Sequence, residues 1–235
     1  MLAACPILPT ILAAQAADTI AIRMSKKNRQ DKSEALLRAE KIKIGTGLPG
    51  IDDSVATLRT ADEVQQRMIA LWAVAGSALR ADSSHFRAYI VDGGRQAWLT
   101  PDELAFLLDD APTEADVIRY SWRLEALYCL AWCGGLVKKI ELPKKQSTIK
   151  AILPLLPVAM EAPDALRTAL AATARSADAI LDWADLLYRV DWALDDARER
   201  NKPAPAGVLA GVVPEWRLAL DWMRGAAATD EWDDA

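Results

Sequence analysis

Two stretches of this chain set charged side chains at spacings from which chemistry could be built. Asp178, Asp182, Asp185 and Arg189 recur three or four residues apart, which on a helix puts all four on one face and sets Asp185 beside Arg189 as an ion pair. Trp122-Arg123-Leu124-Glu125 carries two charges into an otherwise apolar segment. Packed together, the two helices would bring Arg123 and Glu125 to Asp182, Asp185 and Arg189. One role for such a cluster is a polar pocket in which a carboxylate of raised pKa acts as general base for a small-molecule reaction. The other is a structural network, in which buried charges pair because an isolated one costs several kcal/mol. The structural role is the expectation, because no nucleophile, metal-ligand set or phosphate loop accompanies the cluster. No catalytic, cofactor-binding or metal-binding residue is therefore assigned. Trp183 and Trp192 fall on the same helix and are read as core, with ligand lining as the alternative.

The remaining chemical signals are thinner. Gly45-Thr46-Gly47-Leu48-Pro49-Gly50 spells the dinucleotide fingerprint. That turn needs a buried strand before it and a helix opening at its last glycine. Lys41-Ile42-Lys43-Ile44 is half charged, and Ile51-Asp52-Asp53-Ser54 starts no helix, so a cofactor is not expected there. His85 is the single histidine and has no evident nucleophile beside it. Cys129 and Cys133 share a helix face, but zinc would need two more ligands, so both, with Cys5, are read as free thiols. Lys26-Lys27-Asn28-Arg29 and the loop from Lys138-Lys139 to Lys144-Lys145 are read as solvated basic segments.

The elements that must position these residues are helices. Thr60 and Glu63 spell a capping box, followed by Val64, Met68, Leu71, Trp72 and Ala75 at helical spacing. Ser84 to Asp92 is a second helix, closed by Gly93-Gly94. Thr100-Pro101-Asp102-Glu103 opens another that ends near Asp109-Asp110. Thr113 caps the longest apolar segment, Glu114 to Cys133, expected as one central buried helix. Pro154 and Pro157 restrict Ile149 to Met160 to short turns. Pro163 to Thr173 and Ser176 to Arg200 are amphipathic helices, and Pro214 opens the last, which carries Trp216, Leu220 and Met223. A short helix is also expected at Ser33 to Lys41. The fold class is all-α: a single globular multi-helix domain around a central helix at about 114–133.

Composition sets the outer bounds. At 52% hydrophobic, with Ala and Leu ahead of the β-branched residues, the chain can build a sizeable helical core. A net charge of −5 argues against a general nucleic-acid binder. Residues 1–23 are read as an extension outside the domain, with Met24 as a plausible natural start and 24–235 as the single domain. The apolar run in that extension lacks a basic segment before it and is broken by Pro6 and Pro9. It is too short to span a bilayer, so cytoplasmic location is the expectation, with export or lipidation at Cys5 as the rival.

Several spaced motifs run in order along the chain. They are Ser121-Trp122-Arg123-Leu124-Glu125-Ala126-Leu127 with Trp132, and Ile180-Leu181-Asp182 with Asp185-Leu186-Leu187-Tyr188-Arg189 and Trp192-Ala193. Val213-Pro214-Glu215-Trp216-Arg217-Leu218-Ala219-Leu220-Asp221-Trp222 and Trp232-Asp233-Asp234 follow in order. With Leu48-Pro49 and the start at Arg59-Thr60-Ala61-Asp62-Glu63-Val64, these motifs together resemble one bacterial family, the domain of unknown function 4272 family. Asp191 departs from the pattern, standing where the resemblance implies His. The resemblance implies a helical bacterial protein and supplies no activity. The function expected is a non-catalytic protein-interaction module with an unidentified protein partner, for instance one that neutralises a toxin. The alternative is a small-molecule enzyme or ligand binder built on the Arg/Glu/Asp cluster.

Overall fold

Thr60 accepts a hydrogen bond from the Glu63 N–H, and Glu63 accepts from the Thr60 N–H at 2.8 Å, so the reciprocal cap forms and opens helix α2, Ala61–Leu79. The same device at Thr100 and Glu103 opens α4, Pro101–Leu108. Thr113 caps α5, Glu114–Ser121, and Ser176 caps α8, Ala177–Glu199. The remaining helices are α1 over 25–39, α3 Ser84–Val91, α6 Arg123–Cys133, α7 Asp164–Thr173 and α9 Val212–Met223. The computed structural model describes residues 25–51, 57–80, 83–157, 160 and 162–234. Among them there is no strand, and no helix is long and apolar enough to cross a membrane. The extension at 1–23, with Cys5, lies outside the described residues.

Helix α6 forms the centre. Ala126, Leu127, Cys129, Leu130, Ala131 and Cys133 have no exposed surface, and the helix packs between α2 and α9. Helix α8 packs on the far side of α9, while α3, α4, α5 and α7 gather around α2. The expected helix over 114–133 is interrupted at Trp122, where Trp122 N–H donates to Arg119 O and Glu125 N–H to Trp122 O, three residues apart in each case. Such a tightened turn separates a half-exposed segment from a buried one, since α5 buries only Tyr120. Gly135 ends α6 in the left-handed region, at φ 77°, and α7 crosses so close that a Cβ there would lie 1.9 Å from Thr173 O.

Helix α1 is already formed at residue 25, ahead of its apolar pattern, so the basic run read as solvated is helical. Arg29 within it is 3% exposed, because Asp182 and Asp178 on α8 accept its guanidinium at 3.1 and 3.4 Å. In the glycine-rich loop after α1, Gly45 is packed against α8. A Cβ on Gly45 would fall 2.8 Å from the indole of Trp192, so this glycine gives room to a tryptophan and not to a pyrophosphate.

Candidate functional site

The acidic face of α8 becomes a clamp. Arg189 Nε donates to Asp185 Oδ2 at 2.9 Å and Nη2 to Oδ1 at 3.2 Å, with both side chains fully buried. The Ile51 N–H donates to Asp185 Oδ1 and Arg189 Nη2 donates to Pro49 O, each at 3.4 Å. Glu34 of α1 sits 3.7 Å from Arg189 Nη1. The pair thus fastens the 49–51 loop and α1 to α8. Asp182, one turn earlier, accepts from Arg29 and, at 3.2 Å, from Lys32.

Arg123 and Glu125 point elsewhere. Arg123 Nη1 donates to Glu215 Oε1 at 2.8 Å and Nη2 to Trp232 O at 2.6 Å. Beside it, the two terminal nitrogens of Arg67 are held by the two oxygens of Glu103, and the fully buried Trp232 ring lies under both guanidiniums. Asp233 then caps the α4 start through the Thr100 hydroxyl and the Asp102 N–H. Burial alone would raise the Glu103 carboxyl, but the Arg67 charge and hydrogen bonds outweigh it and hold it below the usual range. Glu215 ends on the other side: burial raises its carboxyl, and Arg123 and Arg67 offset that only in part. The five charged residues predicted to meet are therefore divided, because α9 packs against both α6 and α8 and Glu215 on α9 takes Arg123. Arg67, Glu103, Glu215 and Trp232 were not singled out from sequence as members of a site. The usable signal was Arg67 itself, a charge set inside the apolar spacing of Val64, Met68 and Leu71.

Glu125 organises a third place. Only 3% exposed, it accepts from Ser147 N–H at 2.8 Å and from Trp216 Nε1 at 3.2 Å. It ties the lysine-rich loop after α6 to the aromatic floor of a groove of about 720 Å³. Tyr128, Trp183 and Trp216 supply that floor, with Leu36 of α1 on one wall and residues 139–148 on the other. The rings support each other: Tyr128 stacks on Trp216 at 5.9 Å, and Trp183 meets Trp216 and Trp132 edge to face at 6.3 and 5.9 Å. Burial, with the Glu125 charge added, raises the Tyr128 phenol. The Leu209 N–H donates to Pro143 O at 2.7 Å and pins the loop from behind. Of its lysines, Lys139 pairs with Glu141 and Lys144 with Glu40, while Lys145 has no carboxylate within ion-pair distance among the described residues.

The other signals resolve simply. His85 is exposed and meets the edge of Trp72 at 5.6 Å. Cys129 and Cys133 are buried free thiols, and burial, reinforced by Cys133, pushes Cys129 well above the ordinary thiol range. Asp191, the departure from the family pattern, pairs with Arg217. No group of metal-ligating side chains occurs among the described residues.

These features define an all-α domain with a charged, tryptophan-sealed core and an aromatic groove. The chain belongs to the family described as Domain of unknown function (DUF4272), which matches residues 29–235. No curated protein and no solved structure matches the chain.

Proposed function

We propose that this chain is a non-catalytic protein-interaction module and that the groove between α1, α6, α8, α9 and the 139–148 loop is its binding face. The observation that carries this reading is the built wall and floor. Trp216, 3% exposed, is fixed by Glu125, and Glu125 also fixes Ser147 of the loop opposite. A preformed apolar floor loses little freedom when a partner side chain enters it, which is how a small surface acquires affinity. The small-molecule alternative has less support, because Arg123 and Glu125 lie apart from Asp182, Asp185 and Arg189 and each is engaged by its own neighbours.

Selection of random linear peptides displayed on phage, against the full chain, tests the proposal. Enriched peptides should shift the tryptophan emission and lose binding to a Leu36→Glu variant. Leu36 is 41% exposed on the groove wall, so that substitution leaves the core untouched. Failure to enrich any peptide, or enrichment indifferent to Leu36→Glu, would overturn it.

A further inference from the structure

We infer that the groove takes an extended, acidic peptide segment, which pairs its backbone with residues 139–141 and sets an apolar side chain among Tyr128, Trp183 and Trp216. This rests on the interaction reading above and specifies its partner. The backbone N–H and C=O groups of Lys139, Ile140 and Glu141 pair with no group among the described residues. Ile140 seats its side chain in the core at 6% exposure, while Lys139 and Glu141 on either side are exposed, so the stretch lies at the surface with its backbone groups uncommitted. An unpaired stretch along a groove is what a ligand strand completes in β-augmentation: main-chain bonds supply affinity, and pockets for alternate side chains supply selectivity. The aromatic floor provides one such pocket.

Charge selects the sign of the ligand. The whole chain carries −5, yet 138–150 holds Lys138, Lys139, Lys144, Lys145 and Lys150 against Glu141 alone. Glu40 answers Lys144 across the groove and Glu141 answers Lys139, which leaves Lys145, of the three lysines that line the groove, without a carboxylate partner among the described residues. A carboxylate one or two residues from the apolar anchor would meet Lys145. Single-stranded nucleic acid also joins cations to aromatic faces, but it needs open ring faces for successive bases. Here Tyr128 stacks on Trp216, and Trp183 stands edge to face against Trp216 and Trp132, so a peptide side chain fits better than a base.

The peptide selection decides the matter when it is read for composition and followed by backbone methylation. Enriched sequences should hold Asp or Glu beside a large aliphatic or aromatic residue. A Lys144→Glu, Lys145→Glu double variant should bind them about tenfold or more weakly, and N-methylation of the amides flanking the anchor should cost a similar factor. Neutral or basic peptides that still depend on Leu36, or full tolerance of N-methylation, would overturn the acidic-strand inference and leave the interaction reading standing. An absence of Leu36-dependent peptides of any composition would remove both. Tighter binding of oligouridylate than of the selected peptides at the same loop would also overturn the inference.

Discussion

The Arg67 guanidinium lies 4.0 Å from the centre of the Trp232 ring while its terminal nitrogens bind Glu103. Near the end of the sequence, the chain returns to close a buried charge network, and Trp232 is what excludes water from it. Replacing Trp232 with Ala removes the ring from under Arg67 and Arg123 and opens a cavity in contact with two buried cations. A loss of about 3–5 kcal/mol is expected, in the range of large-to-small core changes. Urea denaturation of the full chain measures it. A variant that unfolds at the wild-type midpoint would mean that the ring contributes no more than surface cover.

Glu103 and Glu215 should give opposite pH dependences. The Glu103 carboxyl is held below its usual value of 4.5 in the fold, so its contribution is present above that pH and is lost as pH falls through the folded value. Glu215 is raised above 4.5, so the fold binds its proton more tightly than the unfolded chain does. Its contribution is present below 4.5 and is lost as pH rises through the folded value, with a slope of at most about 1.4 kcal/mol per pH unit. Midpoints measured from pH 2.5 to 7 for Glu103→Gln and Glu215→Gln separate the two. Subtracting the Glu215→Gln curve from wild type should leave a falling line above pH 4.5, and a flat difference would contradict the assignment.

What was legible in the sequence was local. Thr60 with Glu63 and Thr100 with Glu103 are caps within one turn, and Asp185 with Arg189 is a pair within the next, so spacing alone foretold them. Arg29 and Asp182 are separated by 153 residues, and no periodicity in either helix announces the other. The same limit misplaced Arg123: its charge was legible, but its partners Glu215 and Trp232 come from segments brought in by α9 and the turns after it. The family motifs carried Arg123, Asp182, Asp185, Arg189, Glu215 and Trp232 without saying which of them touch. The groove was least legible, since its walls come from α1, α6, α8, α9 and a loop read as solvated.

Gly45 and Gly47 should separate crowding from backbone strain. Ala at position 45 drives a methyl toward the Trp192 indole, 2.8 Å away at its nearest atom, and a loss of about 1–3 kcal/mol is expected from overpacking. Ala at position 47 meets no atom within 4 Å, but φ is +78°, so its cost is conformational, on the order of 1 kcal/mol. Thermal unfolding with tryptophan emission as the probe distinguishes them. Only the Gly45 variant should move the emission of the folded state, because only it displaces an indole.

The Asp185–Arg189 pair gives the sharpest separation of structure from chemistry. Both side chains are fully buried, and between them they hold Pro49, Ile51 and Glu34. Asp185→Asn leaves the Arg189 charge in the interior with reduced compensation, and a loss of about 3–5 kcal/mol is expected. Replacing both, as Asp185→Leu with Arg189→Met, removes the charges together. It should cost less than the two single changes added, because a matched apolar pair carries no desolvation penalty. The residual cost is that of the freed 49–51 loop. A double-mutant cycle by urea denaturation, run alongside peptide binding at the groove, reads both consequences. Stability should fall while affinity for groove-selected peptides is retained in the folded fraction. A single amide change that left stability at the wild-type value would instead return Asp185 to the list of groups held ready for chemistry.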